Sequence, residues 1–192
     1  LLPAEGRIVS GRVRYHDVDL LSLPEADMRT YRWKKVALVF QGAMNALNPV
    51  RKVGDQIAEP IIRHGVLSKG QANRRVGELL DMVGIAPEMA ERYPHQYSGG
   101  MRQRAMIAMA LACSPDILIA DEPTTALDVM IQAQILDLLQ KLQQELDLAV
   151  ILVTHDLGVV AEICDDVLVM YGGKVAEYGT VDRIYNHPQH PY

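Results

Sequence analysis

Apolar positions along this chain fall into two regimes: blocks of strand length, and recurrences at helical spacing. Residues 8–15 (IVSGRVRY) alternate apolar and polar, which predicts an exposed antiparallel strand. Residues 36–40 (VALVF) run apolar without a break, the signature of a strand buried on both faces, and Gln41 stands at its C-terminal end. From residue 48 to 112 the character turns helical. Ser68 and Gln71 have capping-box spacing, Val76, Leu79, Leu80 and Val83 make one stripe, and Gly84 supplies a stop. Ser98 is placed to cap a further helix through residues 101–112, which Ser114-Pro115 ends.

Strand and helix then alternate. ILIA (117–120) and LAVILV (148–153) read as buried strands, and VLVMY (167–171) as a third. Ile131, Ile135, Leu138, Leu139, Leu142 and Leu146 share one helical face, and residues 157–163 make a short helix. Gly172-Gly173 is a two-residue hairpin signal before KVAEYG. Such alternation predicts an α/β fold with a mainly parallel sheet, an antiparallel portion at the N-terminus, and residues 48–112 inserted between two core strands.

Composition changes this picture little. The 192 residues suffice for one substantial core, and 49% hydrophobic with 22% charged residues is ordinary for a globular domain. A net charge of −5 argues against a broad nucleic-acid surface. No apolar run is long enough to span a bilayer, and the N-terminal residues lack signal-peptide form. Cys113 and Cys164 stand in no metal-ligand spacing, so each is expected to be a small buried hydrophobe. Both ends look cut: Leu1-Leu2-Pro3 reads as the tail of a helix, and HPQHPY (187–192) as extended, solvated chain with nothing to dock it.

The chemistry gathers at the strand ends. ILIADEP (117–123) closes a buried strand with Asp121 and Glu122, and two charges there need a positive counterpart. Mg²⁺, which takes oxygen ligands, would serve for Asp121, leaving Glu122 to polarise a water. Thr124 to Asp128 form a second polar turn at that edge, and the strand 148–153 ends in Thr154-His155-Asp156. Gln41 ends another strand with an amide that both donates and accepts, suited to a place beside a metal and a water. In YSGGMRQR (97–104), a Ser98 cap would aim the free N–H groups of Gly99, Gly100 and Met101 at an oxyanion, while Arg102 and Arg104 read as packing residues.

SGGMRQR, ILIADEP, the TALD turn and THD, in that order within sixty residues, resemble the motifs of ATP-binding cassette ATPases from Leu1 to about Gly179. The resemblance implies a P-loop NTPase-type core, with ATP and Mg²⁺ as cofactors. It makes Ser98, Gly99 and Gly100 the signature motif, with Met101 where many members have glutamine. It matches Asp121 to the magnesium-associated aspartate, Glu122 to the catalytic glutamate, Asp128 to the dimer-interface aspartate, His155 to the switch histidine and Gln41 to the lid glutamine. FQGAMNALNPV (40–50) and YNHPQHPY (185–192) resemble subunits of oligopeptide and dipeptide importers, some of whose relatives carry nickel. Residues 1–41 and 113–180 would then be the ATPase core, 42–112 the helical signature subdomain, and 181–192 the start of a C-terminal extension.

The implied partners are a second ATPase subunit, membrane permease subunits and, indirectly, a solute-binding protein, with the protein peripheral on the cytoplasmic face of the membrane. The phosphate loop G-x-x-x-x-G-K-[ST] does not occur in these residues, and Gly173-Lys174 belongs to a hairpin. The chain alone is therefore expected to be inactive, its YSGGM segment serving the ATP held by a partner. Two other readings are a catalytically silent partner module and a soluble cassette ATPase of DNA repair or chromosome structure. Intact Glu122 and His155 weigh against the first, and the absence of long heptad segments in 48–112 against the second.

Overall fold

In the computed structural model, which describes residues 6–42 and 46–192, three apolar strands form the centre. They are β3 (Val36–Val39), β4 (Ile117–Asp121) and β5 (Ala149–Val153), all parallel and ordered β3-β4-β5. Aliphatic and β-branched side chains suit a pleated surface, and neither Gly nor Pro interrupts the runs. Val39 leads from β3 towards Gln41, β4 ends on Asp121, and Val153 pairs with Asp121 just before Thr154-His155. Three chain ends thus reach one rim of the sheet, the C-terminal edge where open α/β sheets hold ligands.

Between β3 and β4 lie α2 (Val53–Arg63), α3 (Lys69–Met82) and α4 (Gly99–Ala110) with short 3₁₀ turns. Val53, Ile57 and Ile61 at one-turn spacing, and Val76, Leu79 and Leu80, are buried in the same core cluster as Leu118 and Ala120 of β4. Gln71 Oε1 accepts the Ser68 backbone N–H at 3.2 Å, and Gly84 ends the helix at φ +73°. The loop after Gln41 is pinned by a buried amide: Gln56 Oε1 accepts Asn48 N–H at 2.7 Å, and its Nε2 donates to the Asn48 and Arg51 carbonyls at 3.0 Å. Helix α5 (Val129–Leu146) follows β4 and buries Ile135, Leu138, Leu139 and Leu142 of the predicted face, while Ile131 is partly buried and Leu146, in the last turn, is exposed.

Several elements differ from the sequence expectation. The strand expected over residues 8–15 shrinks to β1 (Arg14–Tyr15), which pairs antiparallel with β2 (Val18–Asp19). Val9 is 85% exposed, because residues 8–13 have no ladder partner among the described residues. A short helix, α1 (Glu25–Tyr31), follows. The sheet is not covered on both faces: β3 alternates buried with half-buried positions, and Ile151 and Val153 of edge strand β5 are about half exposed.

After α6 (Leu157–Ile163), the third apolar block does not join the parallel sheet. It forms β6 (Asp166–Tyr171), hairpinned with β7 (Lys174–Thr180) through Gly172 and Gly173, both at positive φ as a type I′ turn requires. Residues 187–192 are docked, contrary to expectation. Past α7 (Val181–Asn186), the N–H groups of Gln189 and His190, the two residues between prolines 188 and 191, both donate to the Glu177 carboxylate. The Tyr192 ring lies 4.7 Å from that of Tyr171. The expectations drawn from Leu1-Leu2-Pro3 and from residues 43–45 lie outside the described residues.

Two glycines of the inserted helices separate close packing from free space. A Cβ on Gly54 would stand 2.8 Å from Ala90 Cβ and 2.9 Å from its carbonyl oxygen, whereas one on Gly70 would meet nothing within 4 Å. Gly54→Ala is expected to cost about 1–3 kcal/mol of stability. Gly70→Ala is expected to stabilise by about 0.4–1 kcal/mol through the unfolded chain. Chemical denaturation of the two variants checks the opposite signs.

Candidate active site

Glu122 is the point on which the strand ends converge. Its backbone takes a left-handed turn, φ +45°, at which its N–H still donates to the Val153 carbonyl at 2.9 Å. A non-glycine residue in that region is strained, and such strain is concentrated where side-chain direction matters. The turn brings the carboxylate among three other groups. Oε2 accepts from Gln41 Nε2 and from Thr125 Oγ1, each at 2.8 Å, and Oε1 faces His155 Nδ1 at 3.1 Å.

These contacts set the electrostatics. The Thr125 hydroxyl and the His155 ring hold the Glu122 carboxyl below the ordinary carboxylate range, against the opposing effect of desolvation. An ionised carboxylate only accepts hydrogen bonds, so His155 Nδ1 must carry a proton, and Nε2 is the ring nitrogen left for another partner. A carboxylate offers about four lone-pair sites. Gln41 and Thr125 fill both on Oε2, His155 takes one on Oε1, and among the described residues nothing fills the other on Oε1. The arrangement can therefore receive one further donor at a defined atom.

Asp121 ends β4 beside this cluster, half-buried, with no side-chain hydrogen bond among the described residues. Gln41 has committed its amide nitrogen to Glu122, and among the described residues its carbonyl oxygen has no partner. Among the described residues no three His, Cys, Asp or Glu side chains converge as a metal cage. One carboxylate and one amide oxygen suit a cation that keeps most of its waters, and Mg²⁺ fits that donor set.

The other sequence-singled residues gather elsewhere. Ser98 caps α4, its hydroxyl accepting the Met101 N–H at 3.2 Å, so the N–H groups of Gly99 and Gly100 are the first-turn donors left over. Gly100 has a reason of its own: a Cβ there would stand 2.7 Å from Ile131 Cγ2 of α5. Met101 is half-buried against the core. Tyr97 is structural, its buried hydroxyl donating to the Met89 carbonyl at 2.7 Å and its pKa pushed up to about 12 by burial. Asp128 caps α5 by accepting the Ile131 N–H at 3.0 Å. No hydrogen bond joins Ser98 or Asp128 to the Glu122 cluster among the described residues.

Sequence reasoning placed Thr125 only within the polar turn 124–128 and gave it no contact with Glu122, its signal being a hydroxyl three residues on. Asp156 of the THD segment is an N-cap, accepting from Gly158 and Val159 at the head of α6.

Two measurements follow from this geometry. Asp128→Ala is expected to cost about 1 kcal/mol in chemical unfolding, and Asp128→Ser to recover most of it, as for a helix cap. The folded-state pKa of Glu122 is lowered, so its cluster favours the folded state above the unfolded carboxyl value, about 4.3. That contribution is lost as pH falls through the lower folded value. In acid titrations of stability, Glu122→Gln should therefore fall less steeply than the parent below pH ~4.3.

The family model described as ABC transporter matches residues 2–125. The dipeptide transport ATP-binding protein DppD of Bacillus subtilis is 53% identical over 100% of this chain and 58% of its own length. The oligopeptide transport ATP-binding protein OppD of Salmonella typhimurium is 49% identical with the same coverage. The chain thus spans a little over half the length of these curated relatives. Among solved structures, the dimeric post-hydrolysis state of the ATP-binding cassette MJ0796, bound to ADP and Pi, superposes with a TM-score of 0.78 at 31% identity, over 90% of this chain and 74% of that one. The cbiO1 protein of Clostridium perfringens, part of an ABC transporter complex, gives 0.81 at 29% identity, over 93% and 69%. With a family model that matches residues 2–125 and relatives at about half identity, the chain belongs to the ABC transporter family.

Proposed function

We propose that the chain is the greater part of the nucleotide-hydrolysing core of a peptide importer's ATPase subunit. ATP and Mg²⁺ would be its cofactors. Residues 1–41 and 113–180 belong to the core, 42–112 to a helical subdomain that carries the signature, and 181–192 begin a C-terminal extension. The observation that carries the reading is the Glu122 carboxylate, fixed by Gln41, Thr125 and His155 with one acceptor site unfilled among the described residues. Half identity to dipeptide and oligopeptide transport proteins supports the peptide class.

In this reading Glu122 accepts a hydrogen from the attacking water at Oε1, and the fixed rotamer aims that water at the terminal phosphorus. Its lowered pKa makes it a weak base, which suits a residue that orients water in a reaction with a loose transition state. His155 faces the transferred group through Nε2, the ring nitrogen that its Nδ1 bond to Glu122 leaves over. Asp121 and the Gln41 carbonyl would hold Mg²⁺, which neutralises phosphate charge when bound. Ser98 with the N–H groups of Gly99 and Gly100 offers donors to the terminal phosphate of ATP held by a second subunit, with Met101 behind them and Asp128 at the facing surface.

The phosphate-holding loop would come from chain outside these 192 residues. Permease subunits would dock near residues 42–60, which follow directly from Gln41, placing the protein on the cytoplasmic face of the membrane. A solute-binding protein would deliver peptide from the other side.

In the complete subunit, Glu122→Gln is expected to lower ATP turnover by about 10²–10⁴-fold while leaving ATP binding in place. Steady-state hydrolysis beside equilibrium nucleotide binding checks this, and turnover within a few-fold of the parent would remove Glu122 from the mechanism. The 192 residues alone should neither bind ATP tightly nor hydrolyse it, and robust hydrolysis by that chain would overturn the division of labour between subunits.

A further inference from the structure

Helices α4 and α5 meet through two contacts that advance in step. At the first, Gly100 lets Ile131 pack against the α4 backbone, where any Cβ would come within 2.7 Å of Ile131 Cγ2. One turn on, Arg104 Nη2 donates to Gln134 Oε1 at 3.2 Å. The pairs move four residues along α4 and three along α5, both towards the C-terminus. The two helices therefore run the same way here, and their caps, Ser98 and Asp128, lie at the same end.

Arg104 adds a third element. Its Nη1 donates to the Val83 carbonyl at 2.9 Å, at the C-terminus of α3, where a cation is favoured by the exposed carbonyls. Gly84, at φ +73°, leaves room for this, since a Cβ there would stand 2.9 Å from Nη1. One planar guanidinium thus holds α3 and α5 to α4 with its fork, which a lysine, with a single nitrogen, does not reproduce.

We infer that Gly100–Ile131 and Arg104–Gln134 form a two-rung ladder that fixes the Ser98 corner and the Asp128 corner as one rigid platform for a second subunit. This rests on the proposed function for the identity of the partner. Gly100 and Arg104 are then positioning residues: Gly100 is small because of Ile131, and Arg104 sets the angle at which α4 presents its first turn.

The test uses the complete subunit carrying Glu122→Gln, so that bound ATP is retained, and reads the ATP-dependent dimer dissociation constant by sedimentation. Gly100→Ala should weaken the dimer about tenfold, and adding Ile131→Ala should recover most of that loss. Arg104→Lys should weaken it several-fold with little change in the unfolding midpoint, and Gln134→Leu should add nothing further in that background. An undiminished Gly100→Ala defect in the double variant would mean that the methyl group meets the ligand directly, and would overturn the ladder. So would additive losses at Arg104 and Gln134, or none at Arg104. The Gly100–Ile131 cycle read by chemical unfolding without nucleotide decides that rung independently of the dimer, and additivity there overturns it. A parent chain that does not dimerise with ATP would instead sink the reading of function and, with it, the partner-facing role.

Discussion

An acid at the end of a buried apolar strand is the constraint on which this molecule turns. Leu118 and Ala120 of β4 are fully buried, and two residues beyond Ala120 stands an ionised Glu122. Desolvating a carboxylate is costly unless donors replace the lost water. Here the donors come from the two neighbouring strands and the turn: Gln41 after β3, His155 after β5 and Thr125 three residues on. The parallel order β3-β4-β5 is what brings the first two to the same rim. Satisfying the acid and building the chemistry are therefore one event, and the left-handed backbone at Glu122 is the local strain that accompanies it.

Much of this was legible in the chain because it rests on local pattern. The apolar blocks 36–40, 117–120 and 148–153 located the central strands, and the polar residues that end them located the rim. Ser98, Gly84 and Gly172-Gly173 carried their conformations in their own chemistry. Burial was harder, since it depends on what lies beside a strand. The pattern LAVILV gives no warning that Ile151 and Val153 are half exposed, whereas Gly172-Gly173 did announce the hairpin that 167–171 forms.

What sequence reasoning missed shares one feature: it needs two groups far apart in the chain, or a side chain turned in an unforeseen direction. Nothing local says that Glu177 will collect the N–H groups of Gln189 and His190 and dock a proline-rich tail. Gly100 was understood as making room for an anion, and the side chain of Ile131, thirty-one residues on, gives it a second reason. Arg104 was understood as a packing residue, which it is, yet two of its nitrogens tie the end of α3 and the side of α5 to α4. The Ser98 corner and the Glu122 rim are thus separate features of one core, the first braced by helix packing and the second by strand order.

The most direct test of the central claim is a high-resolution structure of the complete subunit with Mg²⁺ and a non-hydrolysable ATP analogue. One water should sit within about 3 Å of Glu122 Oε1, in line with the terminal phosphorus, with Gln41 and Thr125 still on Oε2. A carboxylate turned away from the nucleotide, or an attacking water held by other residues, would contradict the account.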